Sequence, residues 1–258
     1  MASFDPRDPF PFLPLGALSA AEEQSHALAA DAWLGLDVAA VERELMFRGC
    51  RSRAPGASGE AQELWLGLAA TSLLTPYIEI RRALQAAGAG PGATIVDLGA
   101  AYGRMGFVVA RCFPGARFIG YEYAGERVAE GARALARFAR ASGAAPGAAR
   151  LVGADLSAPG FAPGPADIYF IYDFGTPKAI EKCLHDLRRI GQVKSFLLIG
   201  RGQRCRDAIS RRHGWLKSEA AAPGERALRY RASASSAARI EASSPRATMR
   251  DSIFCKCL

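Results

Sequence analysis

The run IVDLGAAYGRMGF, residues 95–107, is a short β-branched segment that ends in an acid, Asp97, and then breaks into three spaced glycines, Gly99, Gly103 and Gly106. A strand that runs into a glycine loop and then a helix is the opening unit of a doubly wound α/β sheet, where ligands lie across the carboxyl ends of the strands. The spacing here is G-x-x-x-G-x-x-G. It is neither the dinucleotide pattern G-x-G-x-x-G nor a P-loop, which needs Gly-Lys-Ser/Thr at its end.

Outward from this loop the chain alternates. Short β-branched or aromatic runs (TIVDLG, RFIGYE, ARLVGAD, DIYFIYD and SFLLIG) are separated by helical stretches around 103–112, 125–141, 177–190 and 205–212. That rhythm predicts a parallel sheet with right-handed crossovers. Near the end, WLKS and ALRYRA flank EAAAPGER and read as a hairpin of two last strands. The fold class expected is therefore α/β, a doubly wound, mostly parallel seven-strand sheet with an N-terminal helical extension.

Upstream, residues 1–18 are rich in Pro and Phe and read as an extended arm whose aromatic rings dock on the domain. Ser19, followed three residues later by Glu22, makes a capping box that starts a helix. DVAAVERELMF has helical spacing, RSRAPGASG breaks it, and an apolar helical face is expected again from Glu60 to Leu74. It should halt at Thr75-Pro76, because the residue before proline avoids the α region, and restart at Tyr77 with Gly88 as the stop. The organisation expected is an arm with helices over 1–58, a catalytic domain over 59–232 and a basic, unstructured tail over 233–258.

The net charge is +8, unevenly spread: residues 1–187 carry 17 basic and 20 acidic groups, residues 188–258 carry 16 and 5. A basic end can face nucleic acid, an acidic protein or an anionic membrane, or it can be a solvated tail. No uninterrupted apolar run reaches membrane-spanning length, and the acids and prolines of MASFDPRDPFPFLPLG do not suit a secretory signal. A cytoplasmic protein without a membrane partner is expected. The six cysteines lack C-x-x-C spacing, so reduced thiols are the default, and in the closing FCKCL Lys256 is wrong for the aliphatic position of a prenylation box. His26, His185 and His213 are too separated for a triad or a metal set; no metal is implied, and each is expected at a surface or on a helix.

Chemistry enters with Asp97. A carboxylate at the end of the first strand repels a pyrophosphate and attracts a ligand with an ammonium group. S-adenosylmethionine has such an amino-acid end, a cationic sulfonium and an adenosine. Glu122 ends the second strand 23 residues after Gly99, where an acid accepts from vicinal ribose hydroxyls; alone it suits a nicotinamide cofactor equally. Asp155, at the end of the third strand, can accept from an adenine amino group.

Over roughly residues 73–232 the sequence resembles the class I, seven-strand S-adenosylmethionine-dependent methyltransferases, on VDLGAAYGRMG, GYE, GADLS and IYDFG. The resemblance implies a Rossmann-like fold, methylation activity and S-adenosylmethionine as cofactor. It places Asp97, Gly99 and Gly103 at the methionine part, Glu122 at the ribose and Asp155 near the adenine, and leaves Gly106 for helix packing. The methyl-acceptor pocket should border the end of the fourth strand, with Tyr172 and Asp173 as the catalytic pair. Families that methylate base amino groups often carry Asn/Asp-Pro-Pro-Tyr there, whereas this chain reads Asp173-Phe174-Gly175-Thr176. Thr75-Pro76-Tyr77 ahead of the loop is similar to an element of the seven-strand protein-lysine methyltransferases, which implies Thr75 over the cofactor and a protein as acceptor. Arg104 is either a polar contact or a solvated helix start. A nicotinamide-dependent oxidoreductase, or a non-catalytic adaptor whose basic end binds nucleic acid or protein, are the other function classes compatible with this pattern.

Overall fold

A computed structural model describes residues 4–52, 66–145 and 147–234 of the chain. Its elements are α1 (Ala20–Leu34), α2 (Val38–Ser52), α3 (Ala70–Leu73), α4 (Tyr77–Ala86), β1 (Thr94–Leu98), α5 (Arg104–Cys112), β2 (Arg117–Glu122), α6 (Gly125–Ser142), β3 (Ala149–Gly153), β4 (Ile168–Tyr172), α7 (Pro177–Gly191), β5 (Phe196–Arg201), α8 (Gln203–Arg212), β6 (Lys217–Ser218) and β7 (Ala227–Ala232).

The seven strands form one sheet in the order β3-β2-β1-β4-β5-β7-β6. β1 to β5 are mutually parallel, as helical crossovers demand. The sheet is nevertheless mixed, because β7 runs antiparallel to both β5 and β6. A short hairpin reverses the chain and inserts β7 between them, which no crossover helix could do. Order reverses at β1, between β2 and β4, so the crevice for a ligand opens above β1 and β4.

Both faces of the sheet are covered. Ile95, Phe107, Phe118 and Phe170 belong to the core under α4, α5 and α6, while Val96, Leu98, Ile171 and Leu184 belong to the core under α7 and α8. Burial on both sides explains why IYFIY reads as a continuous apolar run and TIVDL as one broken only by Asp97, instead of alternating.

The capping box is present: the Ser19 hydroxyl accepts from the Glu22 amide at 3.3 Å and the Glu22 carboxylate accepts from the Ser19 amide at 2.9 Å. The arm docks through Phe10, fully buried and stacked on Tyr77 with ring centroids 4.8 Å apart. The helix expected over Glu60–Leu74 is corrected in its described part, where only Ala70–Leu73 is helical; residues 60–65 lie outside the described residues. Gly67 takes a left-handed φ of 69° and donates its amide to the Glu42 carboxylate at 3.0 Å, which interrupts any helix there. The 58/59 boundary and residues 235–258 also lie outside the described residues.

Both His26, which is on a helix as expected, and His213, which follows the end of α8, are buried. His213 joins Glu181 and Trp215 through hydrogen bonds of 2.9 and 3.1 Å. His26 lies on α1 beside Phe4 and is 4% exposed, and neither of its ring nitrogens has a hydrogen-bond partner among the described residues. Burial pushes the His26 imidazole below its ordinary range, against a smaller upward pull from Asp8. As pH falls through the unfolded value near 6.5, the unfolded chain takes up the proton first, so stability drops. His26→Leu is expected to lose less Tm than the wild type between pH 7.5 and pH 5. Equal losses in the two proteins would show that His26 does not govern acid stability.

No helix among the described residues is long and apolar enough to cross a membrane. Of the 16 basic and 5 acidic groups after residue 187, 12 and 3 precede residue 233, so most of the charge asymmetry lies in residues 188–232. Much of it is compensated in space: Arg201 pairs with Glu79, Arg226 with Glu23 and Glu79, Arg229 with Glu225 and Arg231 with Glu219.

Candidate functional site

β1 delivers Asp97 to the rim of the sheet, and the chain turns at Gly99 with φ +96°. A side chain there would meet the Cβ of Phe174 at 2.7 Å, because the loop after β4 lies directly on the loop after β1. Gly103 enters α5 in the left-handed region. A Cβ on Gly106 would stand 2.9 Å from the Phe118 ring, so that glycine brings α5 close to β2.

The glycine loop has committed its amides inward. Gly99 and Ala100 both donate to the Tyr121 carbonyl at 3.0 and 2.9 Å, Ala101 donates to Glu122 Oε2 at 2.9 Å, and Gly103 donates to the Ala100 carbonyl at 2.8 Å. A phosphate cradle works through free loop amides, and these four are taken.

Two adjoining cavities lie along this loop and share Gly99, Ala101 and Tyr172. The larger, of about 110 Å3, is lined by Glu122, Tyr123, Asp155 and Phe174; the smaller, of about 30 Å3, by Thr75, Asp97 and Arg104. Larger hollows occur elsewhere: those of about 420 Å3 between α6 and β3 and about 520 Å3 under the arm near Trp33 are lined by no carboxylate, and one of about 210 Å3 is lined by a single carboxylate, Asp167, whose oxygens are held by Lys194 and the Thr94 amide.

The three strand-end acids differ in their surroundings. Glu122 is 6% exposed and accepts from the amides of Ala101 and Ala124, one on each oxygen, with Arg127 Nη1 3.5 Å away. Asp155 lies two residues beyond the end of β3 and takes the amide and hydroxyl of Ser157 on one oxygen, at 2.9 and 2.6 Å. Asp97 is 6% exposed and lines the smaller cavity, and no hydrogen bond to its carboxylate is found among the described residues. Burial first, and the charge of Glu122 second, push its carboxyl up to about 8. At neutral pH the carboxyl is therefore mostly protonated until a cation reaches it. Asp97 itself then repels a pyrophosphate less than the sequence suggests; the occupied loop amides are the stronger obstacle.

Tyr172 walls both cavities; its hydroxyl donates to the Ser72 carbonyl at 3.3 Å, and the Arg201 guanidinium lies 4.0 Å over its ring. Asp173, expected beside it, takes another part. At φ 25° its side chain turns away, and its carboxylate accepts from the amides of Arg204 and Cys205 at 3.2 and 2.8 Å, capping α8. It lines neither cavity. Among the described residues no cluster of three or more His, Cys, Asp or Glu could hold a metal ion.

Arg104 is no solvated helix start. It is 3% exposed and ion-paired with Asp31 of α1, with its Nη1 on the Thr75 carbonyl at 3.1 Å. At the other end of the loop Arg127 pairs with Glu42 of α2 at 2.7 Å. Sequence reasoning missed Asp31, Glu42 and Arg127. For the two acids the only local signal is a carboxylate among apolar residues, as in ALAADAWL, and their arginine partners lie 73 and 85 positions away.

No family model matches the chain, and no curated protein matches it. Solved structures do. A TehB-like S-adenosylmethionine-dependent methyltransferase from Corynebacterium glutamicum is 17% identical, with 60% of this chain and 86% of that one covered at a TM-score of 0.42. An RNA methyltransferase from Salinibacter ruber, in complex with S-adenosylhomocysteine, is 20% identical over 61% and 91% of the two chains, with a TM-score of 0.45. A precorrin-6y C5,15-methyltransferase from Geobacter metallireducens is 17% identical over 64% and 90%, also at 0.45. At these identities and TM-scores the likenesses carry no argument, and the chemistry has to be argued from the site's own residues.

Proposed function

We propose that the chain is an S-adenosylmethionine-dependent methyltransferase acting on a protein lysine. The observation that carries the first part is Asp97: a buried carboxyl without a donor among the described residues, beside a loop whose Gly99, Ala100, Ala101 and Gly103 amides are already taken. Such a group calls for a cationic ligand, and the other two acids extend the site in one direction across β2 and β3. The residues present fit the group. Asp97 would hold the ammonium end, Glu122 has a lone pair left on each oxygen for ribose hydroxyls, and Asp155 stands where an adenine amino group would be met.

When bound, the cofactor supplies a methyl group on a cationic sulfur. The chain's own task is placement and exclusion of water, since methyl transfer is an in-line displacement in which charge disperses. Tyr172 belongs at this point because it is common to both cavities. With its hydroxyl held by Ser72 and its ring backed by Arg201, it forms a fixed wall against which an acceptor amine is oriented. The amine must arrive neutral, and its proton leaves to water. Asp173 has a positioning part in this reading, holding α8 and the turn that carries Phe174. Assignment to a protein lysine rests on the Thr75-Pro76-Tyr77 element, whose Thr75 lines the cavity of Asp97.

Calorimetry should show saturable binding of S-adenosylmethionine and S-adenosylhomocysteine, and none of NAD. A folded protein that binds NAD more tightly sinks the assignment, and binding without any turnover leaves an adaptor. Labelled methyl transfer into a lysate, followed by separate protease and nuclease digestion, tests the acceptor. Label released by protease supports lysine on protein; label released by nuclease moves the acceptor to nucleic acid.

A further inference from the structure

The N-terminal helix α2 ends its influence inside the cofactor site. Glu42, 3% exposed, uses both oxygens fully: Oε1 accepts from the Tyr102 hydroxyl at 2.8 Å and from Arg127 Nε at 2.7 Å, and Oε2 accepts from Arg127 Nη2 and the Gly67 amide, each at 3.0 Å. Two of the three guanidinium nitrogens of Arg127 are thus held in a planar fork. The third, Nη1, stands 3.5 Å from Glu122 Oε1, too far for a strong hydrogen bond. Arg127 also lines the larger cavity.

We infer that Glu42 is a positioning residue for sugar recognition: by holding Arg127 in its fork, it keeps the guanidinium from closing onto Glu122 and covering the oxygens that a ribose needs. This rests on the reading of Glu122 as the ribose acceptor. The physical reason is competition between two buried carboxylates for one cation. Glu42 wins because it takes Arg127 through two nitrogens, at 2.7 and 3.0 Å, whereas Glu122 is reached by one, at 3.5 Å. With the charge on Glu42 removed, Glu122 becomes the nearest carboxylate and Arg127 moves onto it. The arrangement also makes α2 part of the site while none of its side chains has to touch the ligand.

The test compares adenosine with 2′,3′-dideoxyadenosine as competitors of S-adenosylhomocysteine, measured on the full chain by calorimetry. Their affinity ratio isolates the sugar hydroxyls. In the wild type the ratio is expected to be about tenfold or more in favour of adenosine, as for a hydrogen bond to a charged acceptor. In Glu42→Gln it should collapse to within about twofold. Glu42→Gln combined with Arg127→Met should recover most of it, because the competing cation is gone. A purely structural role would weaken both ligands equally and leave the ratio unchanged in Glu42→Gln, which overturns the inference; so does a double variant with a ratio as low as the single. If Glu42→Gln does not fold, Glu42→Asp, which keeps the charge but shortens the reach, should lower the ratio in the same direction, and an unchanged ratio there overturns the inference too. A wild type that fails to distinguish the two nucleosides removes Glu122 from the ribose, and the reading and this inference fall together.

Discussion

Asp97→Asn is expected to yield a protein that is more stable than the wild type at neutral pH and binds S-adenosylmethionine at least tenfold more weakly. Both effects come from the same burial. In the folded protein the carboxyl is pushed up to about 8, whereas the unfolded chain releases its proton near 4. The unfolded state therefore binds fewer protons between these values, and the stability that the protonated carboxyl contributes at low pH is lost as pH rises towards 8. The Tm advantage of Asp97→Asn should be small near pH 4, grow up to about pH 8 and then level off. A Tm difference that does not change with pH would refute the burial argument.

Binding has the opposite pH dependence. An ammonium-bearing ligand needs the ionised carboxylate, so wild-type affinity should rise with pH, by up to about tenfold per unit, until pH reaches about 8. At pH 7 complex formation should release a proton, detectable as a calorimetric enthalpy that depends on the ionisation heat of the buffer. Asp97→Asn should show no such release. Proton release undiminished in the variant would assign it to another group and take Asp97 out of the contact with the ammonium. The stability cost of the native residue is then the signature of a group kept for binding.

The second large effect concerns Asp31→Ala. Arg104 and Asp31 are both buried and pair through two guanidinium nitrogens, and the Asp31 carboxylate also accepts from the Tyr77 hydroxyl at 2.7 Å. Removing Asp31 leaves a desolvated guanidinium with the Thr75 carbonyl and the face of Tyr77 as its neighbours. Loss of one partner from a buried pair costs about 3–5 kcal/mol. Replacing both members is cheaper, so Asp31→Ala with Arg104→Met should be more stable than Asp31→Ala alone. Urea denaturation of the two variants measures this. A cost below about 1 kcal/mol for Asp31→Ala would mean that water reaches Arg104 and that α1 is not locked to the glycine loop.

What can be read along the chain differs from what had to be folded to be seen. The strands from Thr94 to Arg201, the capping box at Ser19 and the restart at Tyr77 follow from local rules: apolar runs bounded by glycines, a side chain reaching three residues on, and the steric demand of a proline. The glycine loop and the acids at the ends of β1, β2 and β3 are equally local, since each is specified by its distance from the end of its own strand. The sequence reading failed where partners are far apart. Asp173 faces α8 and not the cavity because Gly202 leaves room for its carboxylate, and, although the hairpin of the last two strands is as expected, its docking on β5 through β7 was not legible.

Charge shows the same division. Composition alone determined that the second part of the chain is basic, but only the tertiary structure set Glu23 and Glu79 against Arg226 and Arg201, because ion pairing depends on distance in space. The sequence by itself determined a doubly wound sheet with an acid-lined crevice above β1. The tertiary structure decided that Asp97 stands there without a donor while Glu122 is already held by two amides. Burial and hydrogen bonding set the charge of a carboxyl, and both are properties of neighbours brought together by the fold.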